Sequence, residues 1–270
     1  LTPDQQAEVK NGLALVALDH GETQKSMEIW NTLKKSDREI TRQFCSINEG
    51  LVEESNPSPL VFEDLKVVLM SRYALPEAYY NMAVFHDTLT QTPEAIEAYE
   101  TLTKRYPGYL PGLYNLANLY RLQNRNGDAI AMFGRAQKAA PQRVDILNNQ
   151  AAVYADMLQY EKAYLLLDQA ESFDNSLNEI RYNKILIALS ENRLEDAKKI
   201  LSSLKSSNVP SALIEIADGL VKMTEGNWSE AEKALSSARK MQPNNAYTCV
   251  NHGIALAKLK RYPEAQTAMQ

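Results

Sequence analysis

Six alanines, Ala95, Ala129, Ala163, Ala197, Ala231 and Ala265, stand at an unbroken 34-residue interval. A period of that length marks stacked supersecondary units and argues against a single-core globule for most of the chain. Other residue types keep the same register. Asn81, Asn115, Asn149 and Asn183 share it, and Asn251 rejoins it after Ala217 interrupts. Pro107, Pro141 and Pro243 fall in it as well, each where a helix must stop, because proline lacks the N–H and clashes with the preceding turn.

Inside each repeat the apolar spacing is helical. Leu113, Leu116, Ala117 and Tyr120 follow i, i+3, i+4, i+7, and Leu147, Ala151 and Tyr154 continue the stripe one repeat later. A short polar break, such as Asn124 to Gly127 or Glu225 to Asn227, separates this stripe from a second one, so each repeat predicts a helical hairpin. One hairpin cannot bury its stripe alone, whereas a stack of them can. The alanines then have a steric role: two helices reach the short end of the usual axis separation only across a small residue. Ala83, Ala117, Ala151, Gly219 and Gly253 recur on the first helix for the same reason, while Tyr99, Phe133, Leu167, Leu201, Leu235 and Met269 recur as bulk on the second.

Bulky, small and aromatic residues on a first helix, with alanine, bulk and a closing proline on a second, resemble the tetratricopeptide repeat. Tyr79 to Pro107 and Leu113 to Pro141 carry the likeness most clearly. It extends over residues 76–270 as five full units (76–109, 110–143, 144–177, 178–211, 212–245) and a partial sixth. The fold it implies is all-α: a right-handed superhelical solenoid of antiparallel helical hairpins. Residues 1–75 read as atypical, degenerate hairpins of the same array, with stripes through Val9 and Leu13, Met27 and Trp30, Phe44 and Ile47, and Leu65 and Val68. Departures from the pattern cluster late. Arg181 replaces a bulky residue and Ile185 a small one, Ser202 to Pro210 reads as a hinge, and Glu215 and Asp218 stand where apolar residues are usual.

Composition narrows the function classes. A net charge of −5 with a pI near 5.4 opposes the phosphate neutralisation on which nucleic-acid binding depends. No apolar run approaches the ~18 residues of a membrane span. The chain opens at Leu1 and closes inside a helix at Gln270, which reads as a trimmed segment. Cys45 and Cys249 lie far apart, so a structural disulfide is not expected; Cys249 and His252 share a helical face, but a buried thiol beside a polar histidine is the favoured reading over half a metal site. Neither a Walker loop nor GxGxxG, HExxH, CxxC or GxSxG occurs. His20 and His86 stand alone, and no catalytic residues, cofactor or metal are expected.

The resemblance puts the first helices of successive units on a concave groove, and the expected function is a non-catalytic scaffold that holds an extended peptide or helix of a partner there. The residues expected to line it are Asn81, Asn115, Asn149 and Asn183 with Asn118, Arg121, Tyr80, Tyr114 and Tyr182. An asparagine amide offers both donor and acceptor to a peptide backbone, and the ladder resembles the one that holds peptide in the repeat arm of O-GlcNAc transferase. The structural alternative is that each asparagine bonds to its neighbouring helix and each tyrosine is packing. Glu77, Asp145 and Glu179 recur near first-helix starts and could favour a basic ligand. Family cochaperones that capture acidic tails use lysine and arginine beside two asparagines. Asp145 with Asn149, or Glu179 with Asn183, supplies the asparagines without the cations. Two other roles fit a chain of this kind: an assembly factor in a bacterial envelope machine for pilus, secretion or polysaccharide export, and the recruiting arm of a larger enzyme. Leu256, Ala265 and Met269 are expected to form an open end that either more chain or a second copy covers, so that association of copies through it is expected to depend on concentration.

Overall fold

The computed structural model of the chain describes residues 76–206 and 211–269, and before them the isolated helical positions Gln24, Glu28, Ile29, Thr32 and Leu69. The hairpins expected over 1–75, with His20 and Cys45, and the end of the serine-rich junction, lie outside the described residues. The chain divides into two compact units, residues 1–139 and 140–270. Among the described residues every element is a helix.

In the first unit these are α1 (Pro76–Thr88), α2 (Thr92–Arg105), α3 (Leu110–Leu122) and α4 (Asn126–Ala139). The second holds α5 (Val144–Asp156), α6 (Tyr160–Phe173), α7 (Asn178–Ser190), α8 (Leu194–Lys205), α9 (Ala212–Thr224), α10 (Trp228–Met241), α11 (Ala246–Lys258) and α12 (Tyr262–Ala268). Each odd-numbered helix starts 34 residues after the previous one, and each packs on the helix that follows it. Pro107, Pro141 and Pro243 lie just past the ends of α2, α4 and α10, where the chain must leave the helix.

The small-residue positions are the crossing points. Ala83, Ala117, Ala151, Ala129, Ala163, Ala197 and Ala231 are fully buried, as are Tyr99, Phe133, Leu167 and Leu235 behind them. At Gly219 a Cβ would stand 2.6 Å from Leu235 Cγ, and at Gly253 2.5 Å from Met269 Cγ. Ile185 occupies this position in α7 and is fully buried there.

The turns inside the hairpins repeat to the residue. Thr90, Asn124, Leu158, Asn192, Gly226 and Lys260 all have φ between 58° and 77°, the left-handed region. Each is followed by a residue whose N–H reaches back five positions, as in Gln91 to His86 O (2.9 Å), Gln159 to Tyr154 O (2.8 Å) and Asn227 to Lys222 O (2.9 Å). This bond satisfies a carbonyl that the helix end leaves open and reverses the chain for the second helix.

The expected uncovered end is corrected by the packing. Leu256 and Ala265 are 2% and 6% exposed and close on Ala268 between α11 and α12. They face each other across their own hairpin, so these two residues do not present an open surface. Met269 is half-exposed, with its side chain over Gly253.

Candidate functional site

The residues expected to line a groove fall into two groups, one in each unit. In the first unit Tyr80 on α1 lies edge-on to Tyr99 of α2 and tilted to Tyr109, with ring centroids 5.9 Å away in both cases. Tyr114 on α3 meets Phe133 of α4 at 6.0 Å. Asn115 donates Nδ2 to the Tyr99 hydroxyl at 2.9 Å and to the Tyr80 hydroxyl at 3.1 Å. Both amide hydrogens therefore have phenolic acceptors, and the face keeps the Asn115 carbonyl as its acceptor. Burial drives the Tyr99 phenol well above its usual range, against the opposing pull of the Asn115 hydrogen bond. Asn118 and Arg121 are half-buried one and two turns further along α3, and Arg121 is engaged by a neighbour. Asn81 is buried and engaged.

In the second unit Asn183 on α7 donates Nδ2 to Asn148 Oδ1 of α5 at 2.8 Å. Asn149 is half-buried and also engaged. Tyr182 lies beside Tyr247 of α11; burial first, and Tyr247 second, hold its phenol well above the ordinary value. Asn251 donates Nδ2 to the Tyr247 carbonyl one turn earlier at 2.8 Å. Amide donors in this register thus hold neighbouring residues together, and tyrosine rings do the packing. Of the carboxylates considered for a basic ligand, Asp145 pairs with Arg143, Glu77 adds to the burial that raises the Tyr109 phenol, and Glu179 is exposed without an ion-pair partner among the described residues.

A second polar feature runs between hairpins. Gln150, Lys184, Asp218 and His252 occupy the register in which the first unit has Met82 and Leu116. Lys184 Nζ lies 2.6 Å from Glu171 and 2.7 Å from Asp168 of α6, and Arg181 Nε lies 3.2 Å from Glu171. Burial disfavours the Lys184 charge, but the hydrogen bonds to Asp168 and Glu171 outweigh it and hold the ammonium above its usual range. On α9 the sign is reversed: Asp218 pairs with Lys205 of α8 at 2.8 Å. His252 on α11 faces Glu232 of α10 at 3.5 Å, and Arg261 reaches the same carboxylate at 3.4 Å. The 34-residue spacing of these polar residues was the signal in the sequence, and only Asp218 was recognised there as a polar substitution. Cys249 makes its contact with the Pro243 carbonyl. Among the described residues no group of three or more His, Cys, Asp or Glu is placed to hold a metal ion, and no helix is long and apolar enough to cross a membrane.

Hairpins stacked at a 34-residue step, with first-helix faces carrying aromatic and amide groups, define a class of protein-interaction scaffold. Residues 80–144 match the family model described as tetratricopeptide repeat. Over these residues the chain carries tetratricopeptide repeats, and the helical hairpins that follow keep the same 34-residue step. No curated protein matches it. Among solved structures, yeast Tom70 shares the fold with a TM-score of 0.62 at 14% identity, over 91% of this chain and 55% of that one. The protein studied as Pseudomonas aeruginosa pilF gives 0.56 at 12% identity over 94% and 98%, and PilW, described as a type IV pilus biogenesis factor, gives 0.56 at 15% over 72% and 90%. Identities this low establish the common fold and leave the partner to the surface.

Proposed function

We propose that the chain is a non-catalytic adaptor that holds a segment of a partner protein against the exposed faces of its first helices. The observation that carries this reading is the α1–α3 face. Tyr80, Tyr114, Asn115 and Asn118 are half-buried together there, and the Asn115 carbonyl is oriented by two tyrosines that consume its donors. A fixed acceptor beside aromatic walls suits the N–H of an extended backbone, and each such bond contributes about 1 kcal/mol net, so several contacts must act together. Acidic overall charge supports a protein partner over nucleic acid.

The test is an array of extended peptides probed with the purified chain and with Asn118→Arg, which fills the face without touching the Asn115 bonds. Loss of the bound peptides in the variant is expected. Equal binding by both proteins rejects the α1–α3 face as the site. A second reading, an assembly factor of a bacterial envelope machine, draws on the near end-to-end likeness in fold to the pilF protein and on the described role of PilW. It would use the same faces, and an attached lipoprotein signal in the full-length gene would favour it.

A further inference from the structure

The outer side of α6 is apolar where the corresponding side of the other second helices is mostly polar. Ala163, Leu167 and Ala170 are fully buried against the neighbouring helices. With about 100° between successive residues, Leu165 stands about 140–160° round the axis from all three. It is 69% exposed. The equivalent positions of the other repeats hold Glu97, Ala131, Lys199, Lys233 and Thr267. Phe173, two i+4 steps along the same ridge, is exposed as well, and so are Met157, Leu158 and Leu177 in the flanking segments. Leu158 holds the left-handed φ of 58° that Asn124, Asn192 and Gly226 hold in other turns, and its exposed side chain adds no packing that would favour leucine there. Large apolar side chains gathered in the open on one hairpin mark an interaction surface.

Charge selects what covers it. On one edge of the ridge, about 40–60° from Leu165, stand Glu161 and Asp168; on the other edge, at like angles, stand Lys162 and Gln169. Glu161 and Lys162 are exposed and neither has an ion-pair partner among the described residues; Lys162 donates to Gln159 Oε1 at 2.9 Å and lies over the Tyr154 ring. Asp168 meets Lys184, yet its side chain remains 66% exposed and keeps acceptor capacity. One edge therefore only accepts, and the other supplies donors. A second α6 laid parallel about a two-fold axis along the ridge places the acidic edge of each copy against Lys162 and Gln169 of the other, as flanking charges pair in parallel coiled coils. Leu165 then packs on its own counterpart. An antiparallel pair would set Asp168 against Glu161 of the second copy.

We propose that the outer ridge of α6 is a self-association surface, on which a second copy of this chain docks its own α6 in parallel, with Leu165 at the centre and Glu161 paired to Lys162 on both sides. The ridge belongs to a second helix, so it is separate from the first-helix faces and leaves them open. A contact between single helices buries less than the ~800 Å² per partner of a standard interface, so the dimer is weak. Sedimentation equilibrium of the full chain, up to about 500 µM, measures it. A reversible monomer–dimer equilibrium is expected. Leu165→Asp should raise the dissociation constant about tenfold or more, with the helical circular dichroism unchanged. Glu161→Lys and Lys162→Glu should each weaken association, and an equal mixture of the two variants should restore it, because each then offers the other an opposite charge on both sides. Met269→Ser, at the half-exposed end of the chain, should leave the dimer intact. A chain that stays monomeric throughout, a dimer indifferent to Leu165→Asp, or a dimer lost in Met269→Ser overturns the assignment to α6. Association strengthened by Glu161→Lys, or no recovery in the mixture, overturns the parallel arrangement.

Discussion

Asn183 donates its Nδ2 to Asn148 Oδ1 at 2.8 Å, across the same step of 35 positions by which Asn115 reaches Tyr80. The repeat thus carries a bond between adjacent first helices whose acceptor changes from phenol to amide. Asn115 has a further duty, because the fully buried Tyr99 also takes its hydrogen. Asn115→Ala is expected to lower stability by about 1–3 kcal/mol, and Asn183→Ala, where the partner is half-exposed, by about 1 kcal/mol. Urea unfolding midpoints measure both, and equal small losses would remove the special role of Tyr99.

The left-handed turn position separates by residue type. Leu158 is 71% exposed and loses little by truncation, but its φ of 58° costs a side chain about 1–2 kcal/mol. Leu158→Gly should therefore stabilise by about 1 kcal/mol, and Gly226→Ala, at φ 77°, should destabilise by a similar amount. Thermal unfolding decides; a destabilised Leu158→Gly would mean that the side chain makes contacts worth more than the strain.

Two helical glycines should respond oppositely to alanine. A Cβ at Gly134 meets nothing within 4 Å, so Gly134→Ala should gain about 0.5–1 kcal/mol of helix propensity. At Gly219 the new Cβ would stand 2.6 Å from the buried Leu235 Cγ, and overpacking of about 1–3 kcal/mol should outweigh the same gain. Denaturant titration of the two variants gives the signs.

The seam between α8 and α9 offers a reversal of the usual mutational expectation. Asp218 Oδ1 is buried without a hydrogen bond, while Lys205, its partner through Oδ2, is half-exposed and can return to water. Asp218→Leu, restoring the residue type that Leu116 has in this register, should be neutral or stabilising by up to about 2 kcal/mol. A loss above about 1 kcal/mol would show that the ion pair is worth more than apolar packing at this site.

Alkaline pH should unfold the first unit partly through Tyr120. Burial first, then its 2.6 Å hydrogen bond to Glu100, push the phenol up to about 12. The folded state thus holds its proton more tightly than the unfolded chain, where tyrosine titrates near ~10. The resulting stability is whole below about pH 10 and is lost as pH climbs through about 12. Circular dichroism against pH should show a shallower loss for Tyr120→Phe over that window; an unchanged slope would assign the effect to other buried tyrosines such as Tyr99.

Hairpins, their period and their crossing residues were legible because each depends on nearest neighbours. Alanine at a fixed place in every repeat states a steric requirement that holds whatever lies further away, and Ala95 to Ala231 are buried as that requires. The exception at Ile185 was legible too. The left-handed turn escaped notice because Thr90, Leu158 and Lys260 are residues that do not advertise it, and the backbone bond from the next residue imposes it.

Sequence by itself determined the two-helix repeat, the register of the asparagines and the places where polar residues replace apolar ones. Tertiary structure decided what those residues touch: that Asn115 spends its donors on two tyrosines, that Lys184 and Asp218 each meet an opposite charge on the preceding helix, and that Leu256 and Ala265 are already covered. A periodic pattern specifies spacing along the chain, whereas a hydrogen bond or ion pair depends on which side chain from a neighbouring repeat arrives within about 3 Å, and that is settled only when the helices pack.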